Sequence, residues 1–162
     1  MLVVLLLVVI YTDARWLRIP NIVTYPTMFA GLLLGGMEAL PGALFVNGFV
    51  DHLVAVVLAF ALSFPFYQAG GLKAGDAKLL MAIGAVRGTS FLLFATVYGA
   101  LIGGVLAIGF IAKRRLARPA EGAPPNTMGG VMKTTMPYGI ALGLGGLLTL
   151  ALEMVGAIHV GA

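Results

Sequence analysis

Cysteine is absent from the 162 residues. That absence excludes disulfides, thiolate zinc sites and cysteine nucleophiles together. Charge is scarce as well: only 10% of residues are Asp, Glu, Lys or Arg, against about 25% in an ordinary soluble domain. Histidine occurs only as His52 and His159, and no His-x-x-x-His or Glu-x-x-His spacing offers a metal its ligands. The basic residues fall at the ends of apolar segments rather than on one polar face, which speaks against nucleic-acid binding. The opening run MLVVLLLVVIY has neither the positive n-region nor the small-residue cleavage site of a secretory signal, so it reads as a retained helix. No internal repeat is present.

What remains is apolar. Hydrophobic residues make up 60% of the chain, and the mean hydropathy is +1.05. The expectation is an all-α polytopic membrane protein, residues 1–162 forming one transmembrane domain. A spanning helix needs about 20 apolar residues, and six candidate segments are found: 1–17, 22–41, 50–68, 77–88, 89–112 and 137–158. The fourth is short, and Gly84 and Gly88 leave open whether it is a partial span or one bent helix with the fifth. Between the first two segments, Ile19-Pro20-Asn21 stops one helix and offers Asn21 as N-cap of the next. QAGGLKAG is a flexible glycine loop. The hydrophilic stretch 113–136 carries Pro119, Pro124 and Pro125, which argue against a folded domain there.

If six helices thread alternately, the first, third and fifth loops share one side. That side holds Arg15, Arg18, Lys73, Lys78, Lys113, Arg114, Arg115, Arg118 and Lys133, leaving only Arg87 opposite. The positive-inside rule makes the crowded side cytoplasmic and places both termini away from the cytoplasm. The same count favours the short fourth segment as a crossing of its own.

Asp13 and Asp76 both come out at cytoplasmic helix ends, although neither entered the count. Asp13 lies about 18 Å along a helix from the chain start, at or just inside the boundary of a hydrocarbon layer about 30 Å thick. An ionisable group there is a functional candidate by default. Asp76 follows Gly70, Gly71 and Gly75 and precedes an apolar run, a position that suits a helix N-terminus. For either acid alone, capping or pairing with a nearby cation (Arg15 or Arg18, Lys73 or Lys78) is a sufficient account. Together they suit one chemistry. Two close carboxyls share a proton, so the ionised member can take a proton from water while the protonated member polarises a peptide carbonyl. His52, His159, Glu38, Asp51 and Glu153 fall toward the opposite side. Gly31/Gly35, Gly99/Gly103 and Gly139/Gly143 are small-residue pairs that suit close helix packing.

The stretches D-A-R-W-L-R-I-P-N at 13–21 and G-G-L-K-A-G-D-A-K-L-L at 70–80 resemble the two signature regions of the type IV prepilin peptidases, membrane aspartic proteases of the G-x-G-D type. A weaker third likeness is M-P-Y-G-I-A-L-G-L-G at 136–145. One departure is that Lys73 stands where the first motif glycine belongs. The resemblance implies Asp13 and Asp76 as the catalytic pair, with Gly75, Lys78, Arg18, Pro20 and Asn21 supporting them. No metal or cofactor is implied. It also implies a prepilin or pilin-like substrate cut on the cytoplasmic face of a bacterial or archaeal cytoplasmic membrane, with the bilayer and a pilus assembly or secretion machinery as partners. Larger members of that family carry a cysteine tetrad and methylate the new N-terminus. Without cysteines, this chain is expected to be a peptidase-only form, similar to the enzymes of tight-adherence pili. Rival readings are a G-x-G-D peptidase for other membrane peptides or preflagellin-like precursors, a small proton or cation transporter, and a non-catalytic scaffold.

Overall fold

The computed structural model describes residues 1–38, 45–116 and 138–158. All regular structure among them is helical: α1 (Leu2–Trp16), α2 (Asn21–Glu38), α3 (Phe45–Gln68), α4 (Ala74–Leu116) and α5 (Tyr138–Met154). The all-α expectation therefore holds for the described residues. Most of the hydrophilic stretch 113–136, along with Pro137 and His159, lies outside them.

Polarity is inverted relative to a water-soluble bundle. Ile22, Phe29, Leu101, Val105 and Ile108 are largely exposed, whereas Thr24, Ser63, Thr149, His52 and both Asp13 and Asp76 are buried. Lipid, not water, suits such a surface. Two stretches, Gly48–Gln68 and Ala74–Phe110, are long and apolar enough to cross a membrane, yet only 22% of each window is buried inside the protein.

The second of these stretches is not one straight rod. Gly88 interrupts α4 with φ 75° and ψ −173°, a region essentially reserved for glycine. The helices packed against α4 show what the interruption does. Lys78 meets Asn21 near the start of the first arm, and Arg87 meets Glu153 at its end. In the second arm Gly99 lies against Leu142 and Gly145, and Gly103 lies against Ala141. The arm therefore retraces α5 from its end toward its beginning, and the chain turns back at Gly88. The fourth and fifth sequence segments are thus joined without a loop but run in opposite senses.

Each arm start has its own cap. Asp51 at the beginning of α3 accepts the Thr89 N–H at 3.0 Å and receives the Thr89 hydroxyl on its backbone carbonyl at 3.2 Å. Beside it the buried His52 Nδ1 pairs with the Ala85 carbonyl at 2.7 Å. This end of the bundle also holds Arg87 and Glu153, the one ion pair among the described residues.

The glycine pairs work as close-packing sites. Gly31 faces the backbone of Ala85, Gly35 faces His52, and Gly139, Gly143 and Gly146 let α1 approach α5. The apolar core joins Leu5, Leu6 and Val9 of α1 with Leu79, Ile83, Phe91 and Leu92 of α4.

Candidate active site

The buried stripe of α1 runs Leu2, Leu5, Leu6, Val9, Thr12, Asp13. These positions recur at helical spacing, so Asp13 is the last member of the face turned toward the bundle. The first arm of α4 mirrors this arrangement. Asp76, Leu79, Leu80 and Ile83 form its buried face, with Asp76 at the beginning. Both residues are only 2% exposed. The two acids therefore enter the interior from the same end of the bundle, one on a helix arriving and one on a helix leaving.

Neither acid is paired with a neighbouring cation. Asp13 Oδ2 accepts the Ile140 N–H at 3.1 Å, and the Gly139 N–H is directed at the same carboxyl. Asp13 thus caps α5, a helix far away in sequence. Asp76 Oδ2 accepts the Lys73 N–H at 3.0 Å, while the Lys73 carbonyl accepts the Asp76 N–H at 3.0 Å. The first of these bonds is half of a capping box at the start of α4. The capping account is correct for both acids, and in one case the capped helix is not a local one. Asp13 also lies near enough to act on the charge of Asp76, and the Lys73 ammonium acts on both.

The loop before α4 docks on the α1–α2 link. Gly75 is so close to Ile19 that a β-carbon there would sit 3.2 Å from the Ile19 Cβ. Lys73 Nζ donates to the Leu17 carbonyl at 3.3 Å. Leu17 itself is left-handed, with φ 52° and ψ 34°, and its N–H closes α1 onto the Asp13 carbonyl at 3.0 Å.

Among the supporting residues, Asn21 differs from expectation. The α2 N-cap is Pro20, whose carbonyl accepts the N–H groups of Val23 at 3.1 Å and Thr24 at 3.3 Å. The Asn21 side chain is drawn instead to the Lys78 ammonium at 3.1 Å, a charge-assisted bond stronger than a neutral cap. Lys78 also lies 5.0 Å from the Tyr25 ring centroid, so it fastens α4 to α2 and is directed away from Asp76. Arg15 and Arg18 are exposed and form no ion pair with either aspartate. No group of three or more His, Cys, Asp or Glu among the described residues could hold a metal ion.

Three contacts lay beyond sequence reasoning: the α5 amides on Asp13, the reach of Lys73 to Leu17, and Asp51 on Thr89. The spacing of Gly139 and Gly143 did signal a close approach by another helix, though not which helix or which side chain.

A helical bundle with an apolar surface and two carboxyls buried at one end is consistent with a membrane protein. The type IV leader peptidase family matches residues 1–108, and the chain belongs to that family. It is a peptidase, and its family implies a prepilin-like substrate and a membrane setting. No curated protein and no solved structure matches the chain. The matched stretch includes both aspartates and ends within the second arm of α4, so the likeness at 136–145 stands outside it.

Proposed function

We propose that the protein is a membrane aspartic endopeptidase in which Asp13 and Asp76 form the catalytic dyad. It removes the short basic leader from type IV prepilin-like precursors at the cytoplasmic face of the cytoplasmic membrane. The observation that carries this reading is the burial of two carboxyls from separate helices at one end of the bundle, with Asp13 near enough to act on the charge of Asp76. In the reaction, the ionised carboxyl accepts a proton from water as the oxygen attacks the scissile carbonyl carbon. The protonated partner donates to the carbonyl oxygen, and proton return to the amide nitrogen releases the leader. The reaction consumes one water and needs no covalent intermediate.

The chain is threaded with six crossings and both termini outside the cytoplasm. The segregation of basic residues supports this, because Arg15, Arg18, Lys73 and Lys78 lie at the acid end while Arg87 lies at the other. The chain acts as a peptidase alone, without N-methylation. A transporter reading would place acids near mid-bundle at broken helices; here the break is at Gly88, at the end away from the pair.

Asp13→Asn and Asp76→Asn, each inserted at normal levels, should lower cleavage of a co-expressed prepilin-like precursor by about a hundredfold or more. Processing at the wild-type rate by either variant rejects the dyad. Precursors with preflagellin-like leaders, tested beside prepilin-like ones, define the substrate class.

A further inference from the structure

We propose that Lys73 is a positioning residue that holds the two aspartate-bearing helix ends in register, its backbone N–H binding Asp76 and its ammonium binding the C-cap of α1. The inference rests on the dyad reading and names what fixes the geometry of that pair. Lys73 occupies the place where the sequence motif called for glycine. A glycine could supply the backbone bond to Asp76 but not the second contact.

The connection can be followed atom by atom. Asp76 Oδ2 accepts the Lys73 N–H at 3.0 Å, and Lys73 Nζ reaches the Leu17 carbonyl at 3.3 Å. The Leu17 N–H then returns to the Asp13 carbonyl at 3.0 Å. One residue therefore links the loop that carries Asp76 to the turn that closes the helix of Asp13. The receiving carbonyl sits at a helix C-terminus, where partial negative charge favours an ammonium. Leu17 is also the one non-glycine residue with positive φ among those described, in a conformation leucine seldom adopts. Lys73 grips the link at that unusual turn. Gly75 against Ile19 brings the backbone close enough for the side chain to span the remaining distance.

The test compares Lys73→Met, Lys73→Gly and Lys73→Arg in lipid vesicles, with a prepilin-like precursor as substrate. Methionine keeps the length and loses the donors, whereas arginine keeps donors that can reach the same carbonyl. The expected result is a fall in kcat of about tenfold for Lys73→Met and Lys73→Gly. KM should be nearly unchanged, and Lys73→Arg should recover most of the rate. Spin labels on Ala14→Cys and Ala74→Cys read the same connection without catalysis, and no native cysteine competes for the label. Their distance distribution should be narrow in the parent and in Lys73→Arg, and broad in Lys73→Met. An unchanged distribution in Lys73→Met, or an equal loss of rate in Lys73→Arg and Lys73→Met, overturns the assignment. If the parent cuts no precursor, the proteolytic reading fails, while the label distances still decide the role of Lys73.

Discussion

Each aspartate commits one carboxylate oxygen to a helix start, so backbone donors compensate burial, and the nearby Lys73 ammonium adds to them without a direct ion pair. This distinguishes two kinds of substitution at Asp13. Asparagine keeps an acceptor for the Ile140 N–H and removes only the acid, whereas alanine also unlatches α5. Gly139 offers a subtler probe, because a β-carbon there would lie 2.9 Å from the Asp13 Cγ. Gly139→Ala should displace the carboxyl and reduce cleavage by about tenfold to a hundredfold, with helix content by circular dichroism unchanged. Undiminished cleavage would mean that the position of Asp13 is not critical. At this scale the acids themselves were legible, because carboxyls are rare in so apolar a chain and both begin or end a helical stripe. Their partners were not. A main-chain amide 127 residues away leaves no mark in the residues around Asp13.

The helices were legible as apolar runs, and α1 and α2 part at the Ile19–Asn21 break read from the sequence, whereas α3 and α4 begin at Phe45 and Ala74, ahead of the runs 50–68 and 77–88. What the pattern left open was the relation of 77–88 to 89–112. Gly88 answers it with a reversal that needs no connecting loop, secured by Asp51 from α3. No local rule reveals that cap, since the donor and acceptor belong to different helices. The misplacement of the α2 cap by one residue has a related origin: Asn21 is a good local cap, but Lys78 on a neighbouring helix competes for its side chain. Gly88 is also tightly enclosed by the Asp51 carboxylate. Gly88→Ala should destabilise the protein by about 1–3 kcal/mol from backbone strain alone, seen as a lower Tm in detergent. An unchanged Tm would show that the turn tolerates a side chain.

Across the whole molecule, the two ends of the bundle are chemically distinct. One gathers the acid pair with Arg15, Arg18, Lys73 and Lys78; the other holds Asp51, His52 and the Arg87–Glu153 pair. The absence of cysteine makes sidedness directly measurable. A thiol introduced as Arg18→Cys should react with an impermeant reagent only from the cytoplasmic side, and one introduced as Val155→Cys only from the opposite side. Labelling of both from one side would reject the threading. Composition made the membrane class plain, and charge placement suggested the sidedness. The way α5 closes over the pair required three dimensions.

The amide that holds Asp13 belongs to a helix beyond residue 108, where the stretch shared with the family stops. A fragment ending at that point would keep both carboxyls in its sequence but would lose the donor that aims one of them. The matched segment carries both acids, and α5 holds one of them in place.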